Sequence, residues 1–374
     1  MYWYTLAMYD ELPADIRSGH PFHMYDEIHL QPQAVSESLR LAIRHGSPVV
    51  AALERARRVV VTGCGTSFHA ALGAAWLLRS FTRGRIDARA VEAFELVQYG
   101  ADMRPDDVLI AVSHSGTSTM PIRAMQRARD VGAETVLITG LPESEARDVA
   151  HYVLPTGYPG EKSWAHTISY TAALASAAAI ANVLADPSEK LDLSPLADVV
   201  TDALRSEDTA HRMAASVLLS EQENGPARLV FVGGGAHFAT AREATLKFLE
   251  TSYIFTTAWE LEESLHGQLA AVTPETAVVL IVPSGSSSDR AVELSRALME
   301  IGCTPFAIVG ESNAAHFDRA HRLVLADVPE ILAPISTVVP LQLFSYFVSV
   351  GKGQNPDLIH RGDERYLKAA GQYT

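Results

Sequence analysis

Glycine positions in this chain recur at one fixed offset. Gly63 and Gly65 return as Gly233 and Gly235, Gly132 and Gly140 return as Gly302 and Gly310, and Phe68 returns as Phe238, always 170 residues further on. The apolar run Val108-Leu-Ile-Ala-Val112 comes back at the same offset as Val278-Val-Leu-Ile-Val282. Both runs empty into hydroxyl-rich loops, Ser113 to Thr119 and Ser284 to Ser288. One glycine pair can coincide by chance; glycines, apolar runs and loop composition aligned from Gly63 to Gly140 cannot. The chain is read as a tandem duplication in which each copy builds the same scaffold.

That scaffold is an α/β unit. Arg58-Val-Val-Val-Thr62 is a continuous apolar run that breaks into Gly63-Cys-Gly-Thr-Ser67 and then an alanine-rich helical stretch from Ala70 to Phe81. Further strands are read at Asp87 to Val91, Val108 to Val112, Thr135 to Thr139 and Tyr152 to Pro155, with helical spacing between them. Runs without polar alternation suit strands covered on both faces, and their alternation with helices implies parallel, doubly wound sheets. A helix opens at Met24-Tyr-Asp-Glu-Ile and continues through Val35, Leu39 and Ile43; others run from about Thr167 to Ala185 and from Leu196 to Leu219, separated at Asp186-Pro187-Ser188. The expected organisation is an irregular arm (1–23), a first three-layer α/β/α domain (24–190), a second (191–350) and a tail (351–374) that closes over the site.

Charge and composition narrow the partners. A net charge of −14 argues against nucleic acid, which is bound by concentrated Lys and Arg. At 48% hydrophobic and 20% charged residues the composition is that of a globular chain, and no apolar run is read as a bilayer span. Cys64 and Cys303, far apart, fit a reducing compartment, and Met1-Tyr-Trp-Tyr-Thr5 lacks the pattern of a signal peptide, so a cytoplasmic location is expected. No metal and no organic cofactor is assigned; Gly63-Cys-Gly65 lacks the third glycine of a dinucleotide fingerprint.

The stretch Val108 to Thr119 carries the first chemical signal. A buried strand followed by Ser113, Ser115, Ser118 and Thr119, with Gly116 between them and a helix starting near Met120, offers hydroxyls, backbone N–H groups and a helix N-terminus to an anion such as phosphate. The same residues also suit an ordinary strand-to-helix turn. In the second half, Lys247 and Glu250 stand three apart and share a helix face. That spacing fits a surface ion pair as readily as a catalytic one, and His266, beside Gly267, fits a solvated loop.

Several segments, in order, resemble the tandem sugar isomerase (SIS) domain family, above all the isomerase half of glucosamine-6-phosphate synthase and its deaminase and deglycase relatives. Met24 to Pro32 resembles the family's first helix, Gly63-Cys-Gly-Thr-Ser67 its first sugar-phosphate loop, and Ser113-His-Ser-Gly116 its main phosphate loop. Leu246 to Ile254 and Leu265-His-Gly267 resemble its catalytic segments, and Ala333-Pro-Ile335 with Val339 to Leu343 its last helix. The resemblance implies Glu250 as the proton-transferring carboxylate, His266 as the ring-opening residue, Lys247 as a helper and Lys368 as the lysine that meets the carbonyl. It implies a substrate site formed by Cys64, Gly65, Thr66, Ser67, Ser113, His114, Ser115, Gly116, Ser118 and Glu161.

The chain departs from the synthase pattern at His114, where glutamine is usual, at Thr117, where glutamate is common, and at Ser118, where threonine is usual. It also carries no N-terminal cysteine for hydrolysing glutamine. The expectation is an enzyme acting on an amino-sugar phosphate, releasing ammonia and a ketose phosphate, and working as a homodimer with a shared site. A fructosamine-6-phosphate deglycase and a non-catalytic phosphosugar-binding regulator are the alternatives. Moving a proton between adjacent carbons requires a carboxylate over C1 and C2, a group that titrates near neutrality to open the ring, and an amine to meet the ketone.

Overall fold

A computed structural model describes residues 15–100 and 103–372. Residues 1–14 of the expected arm therefore lie outside the described residues; from 15 to 22 the chain has no helix or strand. The first repeat follows α1 (His23–His45) and α2 (Ser47–Arg55). It runs β1 (Arg58–Thr62), α3 (Thr66–Phe81), β2 (Ala88–Ala90), α4 (Ala93–Gln98), β3 (Asp107–Val112), α5 (Thr119–Asp130), β4 (Glu134–Thr139), β5 (Tyr152–Pro155) and α6 (Ile168–Leu184). After α7 (Leu196–Leu204) and α8 (Glu207–Asn224) the second repeat runs β6 (Leu229–Gly233), α9 (Ala236–Thr251), β7 (Thr256–Glu260), α10 (Leu261–Leu265), β8 (Ala277–Val282), α11 (Ser288–Ile301), β9 (Phe306–Gly310), β10 (His321–Leu325) and α12 (Ala333–Gly351). The tail carries α13 (Glu364–Ala370).

Each repeat forms a five-stranded, wholly parallel sheet, ordered β2-β1-β3-β4-β5 and β10-β9-β8-β6-β7. Read in chain order within each repeat the two arrangements are identical, as duplication requires. In both sheets the winding reverses between the first and third strands, which opens a crevice at their carboxyl ends. The loops after β1 and β3 meet at the first crevice, and those after β6 and β8 at the second.

The period of two along the strands divides the core. Val59 and Val61 face a large apolar cluster that also takes in Phe231 and Ile281 of the second sheet, whereas Val60 faces a separate cluster with Leu96, Met125 and Ala128. The second sheet has its own outer cluster, with Val232, Leu280 and Leu294. The two sheets thus share one continuous inner core, filled by α1, α3, α6, α8, α9 and α12, while α4 with α5 and α10 with α11 cover the outer faces. Contact between α3 and α9, the first helix of each sheet, joins the repeats.

Two readings of the sequence are corrected by this packing. The stretch 196–219 is two helices rather than one, broken at Arg205 and Ser206. Helix α12 is long and apolar enough to cross a bilayer, which the sequence reading denied, but 89% of it is buried in the protein, packed on α8 and α9 as a core helix.

Candidate active site

The repeated glycines set the geometry of both crevices. Gly65 and Gly235 cap α3 and α9 with φ of 55° and 56°, a conformation that side chains resist. At Gly63 and Gly233 a Cβ would collide with the backbone of Ser67 and His237 respectively, so each strand end lies against the first turn of the helix that follows.

In the first crevice the loop after β3 takes the expected form. Helix α5 starts at Thr119 with Ser118 as its N-cap residue. Gly116 has φ of 63°, and a Cβ there would overlap the Ser144 hydroxyl. Ser115 and Thr117 share a hydroxyl hydrogen bond of 2.9 Å, and the buried Ser113 Oγ has no partner among the described residues. No Lys or Arg stands between Ser113 and Thr119, so the polar groups this loop offers are hydroxyls and backbone N–H groups. Cys64 differs from the rest of the set. Its thiol donates to Glu92 at 3.2 Å, and burial followed by Glu92 pushes it up to about 12, which leaves its backbone as the part available to a ligand.

Beside this loop, Thr66 links the two repeats. Its hydroxyl donates to Glu243 Oε1 at 3.1 Å and accepts from Lys247 Nζ at 3.1 Å. Lys247, wholly buried, also pairs with Glu250 at 2.5 Å and Glu243 at 3.4 Å. His69 on α3 completes the set, its Nδ1 2.8 Å from Glu243 Oε2. Burial pushes the Glu250 carboxyl upward and outweighs the opposite pull of Lys247. For Lys247 burial pulls down, but Glu250 and Glu243 overcome it and hold the ammonium charged. A network of this kind joins the carboxylate expected to move protons to the loop expected to hold the sugar phosphate. Glu243 and His69 were missed as members; Glu243 was legible in principle, since Glu243, Lys247 and Glu250 fall at i, i+4 and i+7 on one helix face.

Glu161 lies at the third corner. Its Oε1 accepts the backbone N–H groups of Thr167 and Ile168, and Oε2 is 2.8 Å from His166 Nδ1. Burial pushes Glu161 up, but His166 and the other donors overcome it and hold the carboxyl below the usual range. His166 in turn stands above an ordinary imidazole, because Glu161 outweighs its burial. His114 packs edge-on against His166 at 5.3 Å, and burial pulls it down. Ligating atoms of His114, Glu161 and His166 lie within 4.8 Å of one another, the grouping of metal-ligand type among the described residues. The hydrogen bonds already made to both oxygens of Glu161 leave it little capacity for an ion. His166 had no periodic signal in the sequence; only the fold of the loop places it here.

Two expected residues stand apart. His266, at the end of α10, has a side chain 66% exposed that bonds Glu262 at 2.9 Å. Lys368 on α13 has a side chain 75% exposed and pairs with Glu364 at 2.6 Å. No hydrogen bond or ion pair joins either to Glu250 or Lys247 among the described residues. The tail does approach the Glu161 loop: Arg361 stacks over Trp164 at 3.3 Å, and Asp357 caps α1 through His23 N and Met24 N at 2.9 and 2.8 Å.

Comparison with known proteins follows the same boundaries. The SIS domain family model matches residues 52–183 and 224–350. A glutamine–fructose-6-phosphate aminotransferase [isomerizing] of Pyrococcus horikoshii is 30% identical over 348 residues, covering 91% of this chain and 57% of its own length. The chain thus spans somewhat more than half of that relative. Among solved structures, the C-terminal domain of glucosamine-fructose-6-phosphate aminotransferase from Francisella tularensis superposes with TM-score 0.82 at 22% identity, covering 91% of this chain and 99% of that one. A glucosamine-6-phosphate deaminase from Thermotoga maritima superposes with TM-score 0.71 at 22% identity, covering 90% and 97%. At these identities the structural likeness speaks for the fold.

Proposed function

The chain belongs to the SIS domain family, and on that premise we propose that it is a phosphosugar isomerase that deaminates an amino-sugar phosphate such as glucosamine 6-phosphate to a ketose phosphate and ammonia. The observation that carries the proposal is Thr66, held between Lys247 and Glu243 while its own loop borders the phosphate cradle. Phosphate bound at Ser113 to Thr119 and at Gly65 to Ser67 directs the sugar chain toward Glu250. That carboxylate, raised by burial, takes the proton from C2 and returns it at C1. The C2–N bond becomes an imine, water adds at C2 and ammonia leaves. Lys247 stays buried and positions Glu250. The Glu161–His166 pair offers a cationic imidazole to the sugar hydroxyls.

His266 is assigned to ring opening in the partner subunit of a homodimer, which accounts for its exposure here. Lys368 is assigned to the imine at C2, a role that requires the carboxyl end of α13 to turn toward the cleft. Support for an amino sugar comes from charge: Glu161, Glu243 and Glu250 outnumber Lys247 and His166, so an ammonium group is complementary to the site.

The test is one substrate panel. Purified protein is incubated with glucosamine 6-phosphate, galactosamine 6-phosphate, fructoselysine 6-phosphate, and fructose 6-phosphate plus ammonium, and assayed for ammonia, free amino acid and phosphosugar products. Ammonia from an amino-sugar phosphate, lost in Glu250→Gln and Lys368→Ala, supports the proposal. Free lysine alone would replace it with the deglycase, and binding without turnover of any phosphosugar would replace it with the regulator.

A further inference from the structure

Helices α3 and α9 begin and end 170 residues apart, so each position on one has a counterpart on the other. The counterparts meet in the same way: a Cβ at Gly65 would lie 3.8 Å from Leu246, and one at Gly235 would lie 3.8 Å from Trp76, the counterpart of Leu246. The polar network breaks this symmetry. Thr66 and His69 on α3 and Glu243, Lys247 and Glu250 on α9 correspond to Ala236, Ala239, Gly73, Leu77 and Ser80. In the second copy the equivalent positions are thus small or apolar, with Ala236, Ala239 and Leu77 buried. Holding α3 on α9 does not require buried charges, whose desolvation apolar packing avoids. The network calls for a role beyond packing, and His69 is the member to which the proposed reaction gives none.

Distances within the network define that role. Glu243 is fully buried, and its two oxygens have different donors: Thr66 Oγ1 reaches Oε1 at 3.1 Å, and His69 Nδ1 reaches Oε2 at 2.8 Å. A carboxylate oxygen only accepts, so Nδ1 donates. No other hydrogen bond or ion pair reaches Oε2 among the described residues. Lys247 Nζ is left 3.4 Å from Glu243 and 2.5 Å from Glu250, nearer the carboxylate assigned to proton transfer.

We propose that His69 is a positioning residue: by satisfying Glu243 it commits the Lys247 ammonium to Glu250, and so fixes the orientation and charge of the carboxylate that moves the substrate proton. This rests on the assignment of Glu250 to proton transfer, not on which phosphosugar is turned over. Without His69, Oε2 becomes a buried acceptor lacking a donor, and Lys247 turns to it and leaves Glu250 unpaired. The charged and titratable groups facing Glu250 are Lys247 and Glu243 on its own helix and His166 from the loop before α6. Glu161 of that loop faces Lys247, while Tyr170 of α6 and His69 of α3 face Glu243. Burial already pushes Glu250 up against the pull of Lys247, so losing that pull raises it further.

The experiment compares His69→Leu with His69→Asn, whose amide N–H takes the place of Nδ1–H. His69→Leu is expected to lower kcat about thirtyfold or more with KM within about threefold, and to move the acid limb of kcat/KM to higher pH, where the raised base still holds its proton. His69→Asn is expected to remain within a few-fold of the wild type, with its limb unmoved. In a crystal structure of His69→Leu, Lys247 Nζ is expected nearer Glu243 than Glu250, the reverse of the present order. If His69→Leu fails to fold, His69→Leu/Glu243→Gln decides: it removes the charge together with its donor, and is expected to fold with an acid limb no higher than that of the wild type. Wild-type kcat in His69→Leu, a loss of kcat with an unmoved limb, equal damage in His69→Asn, a double variant that is unfolded or has a raised limb, or Lys247 remaining on Glu250 in the crystal would each overturn the proposal. Absence of turnover in the wild type, or full turnover in Glu250→Gln, would instead remove the catalytic assignment, and the crystal structure would then decide by itself whether His69 commits Lys247.

Discussion

The loops after β3 and β8 descend from one ancestor sequence, follow the same strand of the same sheet and precede equivalent helices, α5 and α11. In the first, the Ser113 hydroxyl has no partner among the described residues, and Gly116 holds a left-handed turn against Ser144. In the second, Ser284 bonds Asp327, Ser312 N donates to Asp327 Oδ2 at 2.9 Å, and Ser286 gives both its N–H and its hydroxyl to Glu330. Duplication therefore preserved the scaffold and let the donors diverge: among the described residues no carboxylate takes them in the first copy, whereas Asp327 and Glu330 take them in the second. Similar serine-rich composition does not distinguish the two cases, because what matters is whether a carboxylate elsewhere in the fold reaches the loop.

The sharpest break in the symmetry lies on α9. Glu250→Gln is expected to lower kcat by about a thousandfold or more while leaving phosphosugar affinity within a few-fold, since a group acting in proton transfer contributes to the transition state rather than to the ground state. Steady-state kinetics with a binding titration separates the two. Lys247→Met addresses the same network through stability. It leaves Glu243 and Glu250 facing each other without their buried cation, and a loss of about 3–5 kcal/mol is expected, read by denaturant unfolding. Retention of wild-type stability would show that the ammonium is not structural.

Paired glycine variants test the loops directly. Gly116→Ala strains the left-handed turn and drives a Cβ into Ser144, so phosphosugar KM is expected to rise by about tenfold or more. Gly285→Ala meets only the Glu330 side chain, which can move, and is expected to leave KM unchanged. Glu161→Gln tests the third corner through pH. His166 is held above its ordinary 6.5 by Glu161, so its charge is complete below that value and is lost as pH rises through the raised one. Glu161 is held below its ordinary 4.5, so its contribution is present above that value and disappears as pH falls through the lowered one. Removing the carboxylate is expected to move the alkaline limb of kcat/KM to lower pH; an unmoved limb would exclude His166 as the titrating cation. The smallest effect belongs to Glu330→Ala, which frees Ser286 and is expected to raise the phosphate stoichiometry from one to two with little change in Tm, by equilibrium dialysis.

Much of the scaffold was legible before folding. Arg58 to Thr62, Val108 to Val112 and Thr135 to Thr139 in the first repeat, and Val278 to Val282 in the second, read as strands covered on both faces, and the glycines marked where strand ends meet helix starts. The misread stretches have specific causes. The helix break at Arg205 and Ser206 contains no proline or glycine, so local propensity gives no warning of it. Helix α12 contains hydroxyl residues, prolines and Gln342 among its aliphatic ones, which hid how completely it is buried. At the site, the cradle Ser113 to Ser118 and the pair Lys247 with Glu250 were visible because neighbours in sequence or on one helix face make them. Glu161 was expected on resemblance alone, and His69 and His166 not at all, because their partners lie in other elements.

Sequence alone determined the duplication, the parallel sheets and the hydroxyl-rich turns at their carboxyl ends. These follow from short-range rules: apolar period, glycine conformation and helix capping act within a few residues and leave their mark there. Tertiary structure decided which serine-rich turn is closed by a carboxylate from elsewhere in the chain, and that Thr66 of one repeat carries Lys247 and Glu243 of the other. Those outcomes depend on charges and donors that meet across as many as 181 residues of chain. Electrostatic and hydrogen-bond energies vary with distance and burial, and neither quantity exists until the two sheets have packed on their common core.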